Sequence, residues 1–124
     1  MNANLKEFTS AYIEALYFTD IDNPDQSDIE GDSELAPDTL LDIQADCRSF
    51  WRRFGCYITT ETCSDAFRDS VTQAGHDFHM TRNGHGVGFW EDEWPGAYRE
   101  MLTNGANGYG PFEVYQGDDG LIYS

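Results

Sequence analysis

Three histidines, His76, His79 and His85, fall within one ten-residue stretch that also carries Asp77. Imidazole nitrogens beside a carboxylate form a donor set that zinc takes, provided three donors point at one spot. The stretch His76 to Trp90, HDFHMTRNGHGVGFW, reads as a β-hairpin, because Asn83-Gly84 between two alternating segments favours a type I′ turn. With Arg82 opposite His85, one face carries Phe78, Met80, Val87 and Phe89 and belongs to the core. The other carries Asp77, His79, Thr81, Gly86, Gly88 and Trp90. Alternation then parts His76 from His79 and leaves His85 on the core side of the turn, so neither a metal site nor a cofactor is expected. His79 faces a trough at Gly86 and Gly88, edged by the Trp90 indole, which suits a partner's contact or a packed helix. The chain has no GxSxG, no HExxH and no phosphate loop, and its GHGVG segment opens no helix. No catalytic residue is nominated.

The carboxylates are the larger signal. Twenty-three Asp and Glu face seven Lys and Arg, a net charge of −16 on 124 residues. Ten acids lie between Asp20 and Asp46, and no Lys or Arg occurs between Lys6 and Arg48. A calcium loop begun at Asp20 would put Pro24 and Asp25 at its fifth and sixth positions and Gly31 where a bidentate Glu is required. That excludes an EF-hand. Asp38, Asp42 and Asp46, one helical turn apart, form a row whose steps are about 6 Å. Duplex DNA carries one phosphate charge per ~1.7 Å of axis, so such a row, preceded by an acidic loop, can imitate part of a phosphate ladder. The candidate partner-binding residues are therefore Asp20, Asp22, Asp25, Asp28, Glu30, Asp32, Glu34, Asp38, Asp42 and Asp46, with His79 and Trp90 on the hairpin. The charge repels nucleic acid and anionic membrane and steers the chain towards a basic partner, expected to be a nucleic-acid-binding protein. The competing meaning of a charge run is a solvated face.

The elements that must carry these groups can be read from periodicity. Residues 4 to 18 form an amphipathic helix capped by Asn4, with Leu5, Phe8, Tyr12 and Leu16 inward. An acidic loop spans about 19–36. A second helix starts at Pro37 and ends at Gly55, with Leu40, Ile43, Cys47, Phe50 or Trp51, and Phe54 as its core stripe. A third runs from about Glu61 to Ala74 and stops at Gly75. The last begins near Pro95 and carries Ala97, Tyr98, Met101 and Leu102. The segment PFEVYQGDDGLIYS closes the chain as a second hairpin, turning in Gly117 to Gly120. The fold class expected is α+β: a single domain, residues 1–124, of about four helices packed on a small antiparallel sheet made of two β-hairpins. Cys47, Cys56 and Cys63 form no CxxC pair, and MNANLKEF is not a secretory leader, which points to a reducing cytoplasm. No apolar run is long enough to span a membrane.

The run AGHDFHMTRNGHGVGFWED, Ala74 to Asp92, followed by VYQGDDGLIY, Val114 to Tyr123, resembles a family of small bacteriophage- and prophage-encoded proteins. The likeness covers about a quarter of the chain and lies outside the acidic region. It carries over no catalytic or binding residue. What it implies is a setting, the cytoplasm of an infected bacterium, where small acidic phage proteins often inhibit host defence and several do so as DNA mimics. The expected function is inhibition of a host nucleic-acid-binding defence or repair protein by charge mimicry. The alternatives are an accessory protein that binds a protein partner through its aromatic hairpin, and a small metal-assisted enzyme centred on His79.

Overall fold

A computed structural model describes residues 2–21, 29, 33–59, 69–91 and 94–124. Four α-helices and one two-stranded antiparallel sheet are found among them. Helix α1, Ala3–Leu16, buries Leu5, Phe8, Tyr12 and Leu16 as their spacing predicts. Its cap is Asn2 rather than Asn4: the Asn2 side chain accepts the Leu5 N–H at 2.7 Å. The chain does not leave the helix at Thr19. Tyr17–Ile21 continues α1 as a wider π-helical turn, with the Thr19 hydroxyl donating to the Ala15 carbonyl at 2.8 Å. Asp20 therefore sits on a helical end, not in the loop expected from residue 19.

Helix α2, Pro37–Ile58, opens on proline and buries Ile43, Cys47, Phe50 and Phe54. It runs past Gly55, the expected stop, because that glycine lies under the Trp51 ring, where an added Cβ would come to 2.8 Å of Cε2. Of the third helix expected from about Glu61 to Ala74, residues 61–68 lie outside the described residues, and the part from Ser70 on opens the next helix. Helix α3, Ser70–Arg82, stands where the first strand of the expected His76–Trp90 hairpin would lie, and that hairpin does not form. It is capped by Asp69, which accepts the Thr72 N–H at 3.0 Å. The helix runs straight through Gly75 and His76.

Two local facts explain the reversal. Gly75 faces α1, where a Cβ would strike the Phe8 carbonyl and lie 2.7 Å from Ala11 Cβ, so glycine there permits a close helix crossing rather than a stop. Asn83-Gly84 ends the helix instead of turning a hairpin: Gly84 takes φ 70°, the Gly84 N–H reaches the Thr81 carbonyl at 3.2 Å, and the His85 N–H reaches Met80 at 3.0 Å. That paired pattern is the Schellman cap. Helical phase, not alternation, then decides the faces. Asp77, His79 and Thr81, expected outward, are buried, while Val87, expected inward, is exposed.

Helix α4, Gly96–Asn107, follows Pro95 and buries Leu102 and Ala106. The C-terminal hairpin forms as read, with Tyr115 paired to Tyr123 and Gln116 to Ile122, and the turn completed by Gly120 at φ 83°. It is the one hairpin among the described residues. Ile122 also bonds the segment before α2: its N–H reaches the Glu34 carbonyl and its carbonyl accepts the Ala36 N–H, both at 2.9 Å. The core is aromatic, with Phe50 stacked on Phe78 at 4.3 Å between ring centres, on Phe89 at 5.7 Å and on Phe8 at 5.8 Å. No helix among the described residues is long and apolar enough to cross a membrane.

Candidate functional site

The structure sorts the sequence-predicted contact residues into three groups. Asp22, Asp25, Asp28, Glu30 and Asp32 lie outside the described residues. Glu34, Asp38 and Asp42 are at least partly exposed and form no ion pair with Lys or Arg among the described residues. Asp20, Asp46 and His79 are engaged inside the molecule, and Trp90 stands exposed on the loop after α3.

Asp38 and Asp42 lie on the first turns of α2, where the end of the C-terminal hairpin reaches them. The Ser124 hydroxyl approaches Asp42 at 3.5 Å. Asp119, on the hairpin turn, accepts from the Tyr123 hydroxyl at 2.6 Å and the Leu121 N–H at 3.0 Å. Those two bonds hold the Asp119 carboxyl below its ordinary value. The Tyr123 hydroxyl is pushed up, first by its bond to Asp119, with the charges of Asp119 and Asp38 adding to it. Asp118 precedes Asp119 in the same exposed turn, and the hairpin's last residues, Tyr123 and Ser124, reach Asp38 and Asp42 at the start of α2.

Asp46, the third of the expected row, does not belong to that surface. Its Oδ2 accepts from Arg82 Nη1 at 2.9 Å. The Arg82 side chain is 3% exposed and also donates to Gly110 O at 2.8 Å, Tyr109 O at 3.3 Å and Tyr12 Oη at 3.2 Å. Its guanidinium lies over Phe78, Phe112 and Tyr109, at 5.3–5.7 Å from their ring centres. A planar cation that forks to two carbonyls and one carboxylate suits such a site in a way an ammonium cannot. Sequence reasoning places Arg82 opposite His85 in a hairpin, and helix α3 overturns that pairing.

The third group converges. His79 Nε2 lies 2.9 Å from Asp20 Oδ2 and 3.0 Å from Thr19 Oγ1. His85 Nε2 lies 3.2 Å from Asp20 Oδ1. The expectation that no three donors meet is thereby corrected: the ligand atoms of Asp20, His79 and His85 all fall within 4.8 Å of one another. The π-helical turn aims Asp20 back at α3, and the Schellman cap folds His85 over the end of that helix. His76 stays apart, 3.8 Å from Glu14. His79 has no exposed side-chain surface, and burial holds its pKa below the usual value despite Asp20. Burial alone would raise Asp20, but the His79 hydrogen bond and the His79 and His85 charges outweigh it and hold the carboxyl down.

One further residue, which sequence reasoning read only as a turn former, bears on this region. Asn83 offers Oδ1 to the Phe112 N–H at 2.8 Å, and its Nδ2 donates to His79 O at 3.0 Å. This orientation points Nδ2 at His79 Nδ1, 3.1 Å away. Nδ1 therefore accepts, and the proton of the neutral ring sits on Nε2, donated to Asp20 and Thr19. An open groove lined by Asp20, Asn83, His85, Phe112, Glu113 and Gln116 lies in front. Asp77, by contrast, is structural: it accepts from the buried Trp94 indole at 2.7 Å and from Gln73 at 3.1 Å. Comparison with family models, curated proteins and solved structures finds no match to this chain.

Proposed function

We propose that the protein acts by contact, presenting a DNA-like carboxylate surface to a basic, nucleic-acid-binding host protein of a phage-infected bacterium and inhibiting it. What supports this reading is the exposure of Glu34, Asp38, Asp42 and the hairpin acids Asp118 and Asp119, unneutralised by Lys or Arg among the described residues, on a chain of net charge −16. Long-range attraction between that face and a basic partner would raise the rate of encounter and fall steeply with salt. Asp20 and Asp46 drop out of the surface, since their oxygens are committed to His79, His85 and Arg82.

The test is affinity capture from nuclease-treated bacterial lysate at low and high salt, with an Asp38→Lys, Asp42→Lys column alongside. The reading requires retained proteins that are basic, are eluted by duplex DNA, and are lost on the doubly substituted column. Retention that resists salt and disappears with Trp90→Ala would refute it and point to the aromatic loop after α3.

A further inference from the structure

The geometry points to a second property: we infer that Asp20, His79 and His85 form a site for a divalent transition metal, of the kind zinc occupies, facing the groove beside Phe112 and Gln116. Three arguments carry it. The first is distance. Ligands about 2.0–2.1 Å from a tetrahedral zinc stand about 3.3 Å from each other. The Asp20 oxygens stand 2.9 Å from His79 Nε2 and 3.2 Å from His85 Nε2, and all three donors lie within 4.8 Å of one another, so a metal enters once the widest pair closes by up to about 1.5 Å.

The second is an unsatisfied atom. His85 Nε2 has no solvent-exposed surface and no hydrogen bond, although Asp20 Oδ1 is 3.2 Å away. The contact is close but misaligned for an N–H donor. A buried nitrogen left this way is costly, and native structures rarely keep one without a partner. A cation between the ring and the carboxylate would engage the lone pair directly.

The third is donor chemistry. Two imidazoles with one carboxylate suit zinc and neighbouring transition metals, whereas calcium and magnesium prefer all-oxygen sets. Three protein ligands leave a coordination position for water or a groove ligand.

Asn83 sets the strength of the site. Its amide N–H now holds the His79 proton on Nε2, the atom the metal needs. Metal binding places that proton on Nδ1 and makes Asn83 give up its present bonds to His79 and Phe112. Histidine ligands usually donate their other N–H to a carboxylate or carbonyl, and changes in that outer contact alter affinity roughly 10–100-fold. Asn83→Asp would supply the missing acceptor and should tighten binding by a factor in that range.

The experiment is titration of the chelator-treated full chain with zinc, followed by calorimetry, and with cobalt, followed by visible absorption, in excess magnesium to occupy the surface acids. The inference expects one metal per chain, a nitrogen–oxygen cobalt spectrum, and a rise in melting temperature with zinc, because a ligand of the native state stabilises it. His85→Ala should abolish all three while His76→Ala leaves them intact, and Asn83→Asp should bind more tightly than the parent. Circular dichroism of each variant separates lost binding from lost folding. Absence of a saturable site in the parent would overturn the inference. So would a thiolate charge-transfer band from the exposed Cys56, or binding unchanged in His85→Ala.

Discussion

Reversing the charge of Asp46 should unsettle the fold, whereas reversing that of Asp42 one turn earlier should not. On a solvated helix face the two substitutions would be equivalent. Here Asp46 Oδ2 lies 2.9 Å from Arg82 Nη1, with Arg82 3% exposed and Asp46 32% exposed. Exposed pairs contribute ~0.2–1 kcal/mol, and breaking a buried pair costs ~3–5 kcal/mol. A pair with one buried and one partly wet member falls between them. Asp46→Lys adds repulsion, about 4 kcal/mol for charges ~4 Å apart at an effective dielectric constant near 20. Most of it is relieved when the lysine swings into solvent. A net loss of about 2–3 kcal/mol remains, because Arg82 stays fixed by Gly110 O and Tyr109 O and cannot follow. For a domain of this size that is roughly 8–12 °C in melting temperature. Asp42→Lys should change stability by no more than ~0.5 kcal/mol. Thermal and urea melts of both variants decide the matter. If they melt within a degree of each other, the buried Arg82–Asp46 link is wrong, and Asp46 rejoins the exposed row.

Gly75→Ala should destabilise by about 1–3 kcal/mol, since its Cβ meets the Phe8 carbonyl and Ala11 across the α1–α3 crossing; a stabilised variant, as helix propensity alone predicts, would refute that packing. Site-resolved alkylation of the native protein should label the exposed Cys56 and spare Cys47, whose thiol burial pushes up to about 12; labelling of Cys47 at the same rate would contradict its place in the core. Acid should weaken the fold before the carboxylates titrate. Burial depresses His79, so the unfolded chain binds a proton that the folded chain refuses. The stability is present above about pH 6.5 and is lost as pH falls below it, while the share from Asp20, also depressed, goes only below the ordinary carboxylate range. Melting temperature should therefore fall between about pH 7 and 5.5, and His79→Gln should flatten that slope; equal slopes in parent and variant would refute it.

Much of the architecture was legible because it rests on local terms. Helical spacing of Leu5, Phe8, Tyr12 and Leu16, proline at the start of α2, and the glycine pair around Asp118 and Asp119 select their conformations without distant help. Asn83-Gly84 is where local reading divides. The same left-handed glycine that closes a type I′ turn also closes a Schellman cap. Only the surroundings choose between them. Helix wins because Asp69 caps its start and because α1 lies close enough at Gly75 to bury a helical face there. Helical phase then buries His79 and Arg82 together, where alternation would have parted them.

The candidate site depended on the same choice. The sequence by itself determined the excess of negative charge, the α2 face carrying Asp38 and Asp42, and the hairpin acids, since composition and short-range periodicity suffice for these. Only the tertiary structure decided that Asp46 belongs to Arg82, that Asp20 meets His79 and His85, and that Asn83 sets the His79 tautomer. Arg82 reaches Asp46 across 36 residues of chain, and His79 reaches Thr19 across 60. Asp20 is aimed by a helical turn that continues α1 where composition reads as loop. Contacts of that range arise when packed elements meet, and no local pattern of residue types encodes which side chains will face each other.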